Sequence, residues 1–196
     1  MFDLGGVLFS EGKAIAIRHL ADQFGYEPDL VRGIIYSPKS LELRKGLISD
    51  DEFWRWARDQ LPPNYDPALI RNAWYEGYVL DEEIAQLIRR LRKRYQIVAF
   101  SGNIKSRVDF LESKYHFRRL FDKEIYSFDH HVTKPDKKFV EALVRELGSS
   151  PTELVYIDDN DRYAQPAREM GLRVLIYAPG QAEKLKRELA ALGVVA

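Results

Sequence analysis

Lysine plus arginine number 30 in this 196-residue chain and aspartate plus glutamate also number 30, so no net charge favours a nucleic-acid or membrane-surface partner. The length suits one core of ordinary size, or a core with one insertion. Cysteine is absent, which excludes disulfides and thiolate metal sites, and no apolar run is long enough to span a bilayer. With no signal-peptide pattern at its start, the sequence reads as a soluble cytoplasmic protein.

The first nine residues, Met1-Phe-Asp-Leu-Gly-Gly-Val-Leu-Phe9, read as a strand end running into a glycine turn. Gly5 and Gly6 let the backbone turn sharply and bring its N–H groups close to a ligand, and Gly5 is expected to need positive φ. Asp3 then stands at the carboxyl end of a strand, where open α/β sheets bind their ligands. Only Met1 and Phe2 precede it, fewer than the ~5 or 6 residues of a typical strand. An Asx-type turn accounts for Asp3 equally well at this point.

Residues 12–78 show helical periodicity with no convincing strand. A first helix ends at Gly25, and a second, over residues 30–36, is expected to be closed by Ser37-Pro38. Ser49 with Glu52 forms a capping box for a helix carrying Phe53, Trp54 and Trp56, ended by Leu61-Pro62-Pro63. Asp66-Pro67 opens another through Ile70, Trp74 and Tyr78. Large apolar residues at helical spacing are expected to pack as this block's own core, with one or two free to face a ligand.

From residue 81 onward helices and strands alternate. Helices are expected over residues 81–94, 104–115, 136–147, 162–170 and 181–192, and strands over 96–101, 124–127, 153–158 and 172–178. This alternation implies a mainly parallel sheet between helical layers. The basic cluster Arg89-Arg90 and Arg92-Lys93-Arg94 is a solvated face complementing a helix C-terminus. Asp161 is expected to cap its helix rather than bind metal. His130-His131 invites a metal or acid–base role, but a pair in a polar loop is more often solvent-facing.

Four positions stand in a telling order. Asp3 is followed by Ser101 at the end of Ile97-Val-Ala-Phe100, by Lys134 in Thr133-Lys-Pro-Asp136, and by Asp158-Asp159 after Leu154-Val-Tyr-Ile157. This order, over nearly the whole chain, resembles the haloacid dehalogenase (HAD) superfamily of hydrolases. Asp-Leu-Gly-Gly-Val-Leu is similar to the branch with small HAD phosphatases and the amino-terminal domain of soluble epoxide hydrolases. The resemblance implies a three-layer Rossmann-like α/β core with a helical cap inserted after the first strand. Residues 1–11 and 79–196 would form the core and 12–78 the cap.

It also implies a Mg²⁺-dependent phosphatase acting on a small phosphorylated metabolite. Asp3 would be the nucleophile, forming an aspartyl-phosphate. Asp3, the Gly5 carbonyl, Asp158 and Asp159 would serve the metal. Gly5, Gly6, Ser101, Gly102, Asn103 and Lys134 would hold the phosphate, with Lys134 also offsetting charge on Asp3. Two departures stand out: Gly5 replaces the usual acid–base Asp, and Gly102-Asn103 replaces Ser-Asn or Thr-Asn. The first leaves a catalytically weak HAD-fold binding protein as the alternative. A 2-haloacid dehalogenase, which needs no metal, fits the Asp158-Asp159 pair less well.

Overall fold

The computed structural model describes residues 1–195. Four strands, β1 (Val98–Ser101), β2 (Lys123–Tyr126), β3 (Val155–Asp158) and β4 (Arg173–Ile176), form two parallel pairs, β1 with β2 and β3 with β4. The first residues of the chain join them. Phe2 bridges in parallel to Ala99 on one side and Ile157 on the other. Its N–H donates to the Val98 carbonyl and its carbonyl accepts from Phe100, both at 2.9 Å, while Asp3 N–H donates to Ile157 at 2.9 Å. The order is therefore β2–β1–(1–3)–β3–β4, with the short initial segment at the centre. A stub serves because it is buried between β1 and β3 and its backbone groups are satisfied on both sides.

After this segment the chain runs into five helices: α1 (Gly12–Phe24), α2 (Pro28–Ile35), α3 (Pro38–Arg44), α4 (Asp50–Gln60) and α5 (Pro67–Glu76). Gly25 stops α1 in the left-handed conformation with φ 66°, and the Ser49–Glu52 capping box opens α4. Ser37-Pro38 closes α2 as the sequence leads one to expect, the Ser37 hydroxyl donating to the Ile34 carbonyl at 2.8 Å, but it also does more. The Ser37 hydroxyl accepts from Ser40 N–H at 2.9 Å and Pro38 occupies the first turn, so the pair starts α3, a helix the sequence reading lacks.

The remaining helices are α6 (Glu82–Leu91), α7 (Lys105–Tyr115), a one-turn α8 (Ser127–His130), α9 (Lys137–Leu147), α10 (Asp161–Glu169) and α11 (Ala182–Ala191). Side chains alternate across the strands. Phe2, Ala99 and Ile157 pack toward α6, α7 and α11 through Ile84, Ile88, Val108, Leu111 and Leu185. Val98, Phe100 and Tyr156 face α9 and α10 through Phe139, Leu143, Ala164 and Ala167. Helices thus cover both faces of a parallel sheet. Asn160 caps α10, accepting from Arg162 and Tyr163; Asp161, expected as the cap, is instead its first residue and pairs with Arg168 at 2.9 Å.

The tryptophans pack among the aromatic side chains of the helical block, as expected, but the apolar core does not stop there. Trp74 is fully buried against Phe53 and Trp54, while its neighbour Tyr75 packs on Phe110 of α7 and hydrogen-bonds Ser106 at 2.7 Å. The block and the sheet layer share one apolar cluster. Each fully buried Phe or Leu in it contributes about 1.5–3 kcal/mol. That continuity holds α1, α3 and α5 over the carboxyl ends of the strands. No described helix is long and apolar enough to cross a membrane.

Candidate active site

The carboxyl ends of the central segment, β1 and β3 open into a cavity of about 230 Å³. Asp3, Gly5, Ser101, Gly102, Asn103, Lys134 and Asp159 all line it. Asp158 and Gly6 lie behind this lining. Asp158 is wholly buried, and Gly6 backs onto Asp159.

Lys134 is the hub. Its Nζ lies 2.7 Å from Asp3 Oδ2 and 2.8 Å from Asp158 Oδ2, and it donates to the Tyr156 hydroxyl at 2.8 Å. Tyr156 in turn donates to Asp158, whose other oxygen accepts from Asn160 N–H at 2.8 Å. Asp3 Oδ1 accepts from Leu4 N–H at 2.7 Å, which fixes its carboxylate. Buried charges persist only when paired and hydrogen-bonded in this manner.

The balance is nevertheless negative. Oxygens of Asp3, Asp158 and Asp159 all lie within 4.8 Å of one another, against one ammonium. Burial raises the Asp3 carboxyl above its usual range despite Lys134. Burial pushes Asp158 the same way, but Lys134 and the Tyr156 and Asn160 hydrogen bonds hold it below that range. Asp159, without a lysine contact of its own, is pushed up to about 7 by burial and then by Asp3 and Asp158. Burial works against a charged Lys134, yet the two facing carboxylates win and raise its pKa, so it stays an ammonium. Three carboxylates with excess negative charge, and no sulfur or nitrogen donor, suit a hard divalent cation.

Glycine is required at two positions by close approach. A Cβ on Gly6 would lie 2.1 Å from Asp159 Oδ2, and Gly6 also has φ 77°. A Cβ on Gly102 would lie 2.4 Å from Thr133 Oγ1. Gly5, expected to need positive φ, does not have it; that burden falls on Gly6. The space beside Gly5 is filled instead by Tyr78. A Cβ there would meet Tyr78 Cε1 at 3.1 Å and the phenol oxygen at 3.9 Å.

Sequence reasoning missed the other half of the cavity, which the helices supply. Glu11, Lys13, Tyr36, Leu41, Arg44, Tyr78, Arg107, Thr133, Asn160 and Tyr163 complete its lining. None of the three tryptophans belongs to it. Asn103 links the halves: its Nδ2 reaches Ser101 Oγ at 3.5 Å and its Oδ1 accepts from Arg107 Nε at 2.8 Å. The histidines lie elsewhere, His130 against Glu146 at 2.9 Å and His131 against the Lys45 carbonyl at 2.9 Å.

A parallel sheet covered by helices on both faces, with an aspartate–lysine centre at its carboxyl edge, is a Rossmann-like α/β architecture. The haloacid dehalogenase-like hydrolase profile matches residues 1–171, and the chain belongs to that family. An uncharacterized protein of Dictyostelium discoideum is 40% identical over 94% of this chain and 92% of its own length. Flavin mononucleotide hydrolase 1 of Arabidopsis thaliana is 26% identical over 79% of this chain and 62% of its own. A sesquiterpene phosphatase of Aspergillus oryzae is 25% identical over 88% and 85%. Among solved structures, a HAD-like hydrolase from Porphyromonas gingivalis superposes with TM-score 0.80 at 23% identity, covering 96% of this chain and 95% of that one. A HAD family enzyme from Bacteroides thetaiotaomicron, in complex with magnesium and inorganic phosphate, gives 0.75 at 22% identity, covering 91% and 93%.

Proposed function

We propose that this hydrolase is a Mg²⁺-dependent phosphatase of a small phosphorylated metabolite, working through a phosphorylated Asp3. The observation that carries the reading is the convergence of Asp3, Asp158 and Asp159 around Lys134 in one cavity. Phosphatases among the sequence relatives, and a fold relative holding magnesium with phosphate, support it.

In this reading an Asp3 oxygen attacks phosphorus, the ester P–O bond breaks, and the leaving oxygen takes a proton. Water then cleaves the aspartyl-phosphate, returning the Asp3 carboxylate and releasing inorganic phosphate. Lys134 offsets charge on Asp3 and on the phosphoryl oxygens. Ser101 Oγ and the Gly102 N–H are donors for those oxygens. Asp3, the Gly5 carbonyl and Asp159 would hold Mg²⁺, with Asp158 behind them orienting Lys134. The ion would supply charge neutralisation for the phosphoryl group. Residues 12–78 act as the cap that roofs the reaction and excludes water.

Gly5 favours a second reading, a HAD-fold protein that binds without turnover, because position 5 carries no side chain to act as the usual acid–base Asp. A screen of phosphate monoesters with and without Mg²⁺ separates the two. Mg²⁺-dependent phosphate release that Asp3→Asn abolishes establishes the phosphatase. Binding without release in the wild type establishes the alternative.

A further inference from the structure

The helix-supplied half of the cavity holds more positive charge than the protein neutralises. Lys13 comes from the first turn of α1, Arg44 from the end of α3 and Arg107 from the first turn of α7. Glu11, 4.0 Å from Lys13, is the carboxylate beside them. Arg107 is 2% exposed, yet forms no ion pair among the described residues. Its Nε is satisfied by Asn103, its guanidinium lies 4.4 Å from the Tyr78 ring centroid, and its Nη1 is buried without a partner. Arg44 Nε is likewise buried without a partner.

Buried donors normally find partners, so two guanidinium groups that line one cavity and keep donors unpaired among the described residues call for an occupant. In the phosphatase reading the reacting phosphoryl group is not that occupant. It is already served by Lys134, Ser101 and the cation site at the strand ends. The unpartnered donors also sit on fixed supports. Asn103 positions Arg107, and the Arg44 carbonyl accepts from Ser127 Oγ at 2.6 Å, which anchors the end of α3.

We propose that Lys13, Arg44 and Arg107 form a second anion subsite, so that the substrate is a small phosphate monoester bearing another anionic group, a carboxylate or a second phosphate. The inference rests on the phosphatase reading and narrows its substrate class. Guanidinium forks bind carboxylate and phosphate alike, and in a water-poor cavity such charge-assisted bonds are strong. The same cations disfavour an apolar tail, which would leave them desolvated and unpaired.

The test uses matched probes: 2-phosphoglycolate against ethyl phosphate for a carboxylate, and ethylene glycol bisphosphate against the same monoester for a second phosphate. With Mg²⁺ present, kcat/KM for at least one two-anion probe should exceed that for ethyl phosphate by ~10-fold or more. That ratio should fall toward one in Arg44→Gln and in Arg107→Gln, through KM. Should Arg107→Gln fail to fold, Arg44→Gln and Lys13→Gln carry the test. Equal kcat/KM for all three probes, or a ratio unmoved in these variants, overturns the subsite. Binding by calorimetry to Mg²⁺-loaded Asp3→Asn separates its failure from that of the phosphatase reading. Absent turnover in the wild type, with tighter two-anion binding weakened by Arg44→Gln, refutes the phosphatase and keeps the subsite. Equal binding of all probes refutes the subsite whether or not turnover occurs.

Discussion

The two halves of the cavity are built on opposite principles. At the strand ends Asp3, Asp158 and Lys134 hold one another within hydrogen-bonding distance, and Lys134 alone contacts Asp3, Asp158 and Tyr156. Under the helices Arg44 and Arg107 keep buried donors that nothing among the described residues satisfies. A reaction centre needs its groups held in one geometry before the substrate arrives, so mutual pairing serves it. A recognition surface discriminates by leaving its donors for the ligand to satisfy. In the proposed reading, chemistry and selectivity are thereby separated along one cavity.

The largest expected effect breaks the first half. Asp3→Asn should lower kcat by ~10⁴-fold or more, as loss of a nucleophile does elsewhere. The variant should fold, because it removes one of three crowded carboxylates. A steady-state assay with a thermal melt checks both points. Residual turnover near the wild-type level would remove Asp3 as nucleophile.

Next comes proton supply. A positioned acid contributes ~100- to 10,000-fold to expulsion of an alkoxide and little to that of a nitrophenolate. Tyr78 occupies the space where a side chain at position 5 would project. Burial pushes its phenol above its usual pKa despite the Arg107 guanidinium beside it. It therefore remains protonated and a weak acid. Aryl and acyl phosphates should be cleaved ~100-fold or more faster than alkyl phosphates relative to a HAD phosphatase with the acid present. Gly5→Asp with Tyr78→Ala, which clears the 3.1 Å contact, should narrow that gap. A ratio already near one in the wild type would show that the proton comes from another group.

How much of this was legible in the sequence follows the same division. Asp3, Ser101 and Asp158-Asp159 each terminate an apolar run, so a buried parallel strand and its edge could be read together. Lys134 was placed by motif order. Arg44 was invisible because Ser37-Pro38 reads equally as a helix stop or a helix start, and α3 depends on that choice. Lys13 and Arg107 look like ordinary helix-surface cations, and only the packing of α1 and α7 over the strand ends buries them. The left-handed residue of the turn was misassigned to Gly5 because adjacent glycines carry no signal telling which one bends; the Asp159 carboxylate decides for Gly6.

A third expectation sharpens the comparison through stability. Asp159→Asn relieves repulsion among the three carboxylates, so without metal its melting temperature should rise by a few degrees, about 2–4 °C per kcal/mol at this size. Mg²⁺ at ~100 times its Kd should stabilise the wild type by about 2.7 kcal/mol and the variant by much less. Turnover should fall in parallel. Differential scanning calorimetry with EDTA or Mg²⁺ checks the crossing. Equal Mg²⁺ shifts in both proteins would remove Asp159 from the metal site.

The smallest effect belongs to Lys13, whose sign differs for folding and for binding. Burial lowers its pKa to about 8, helped by Arg44 and Arg107 and opposed by Glu11 and Asp3. The charged form is thus disfavoured by folding. Below pH 8 the folded state carries that cost in full, and the cost fades as pH rises from about 8 toward the unfolded value of 10.5. Lys13→Met should therefore raise the melting temperature at pH 7 and much less at pH 10. Binding runs the other way, because only the ammonium attracts the substrate's second anion. In the wild type, kcat/KM for a two-anion substrate should fall several-fold relative to ethyl phosphate as pH passes through about 8, the region set by the free enzyme's pKa. In Lys13→Met that ratio should be lower at pH 7 and flat across the same interval. A wild-type ratio that is flat from pH 7 to pH 9, measured where both proteins remain folded, would show that Lys13 takes no part in recognising the second anion.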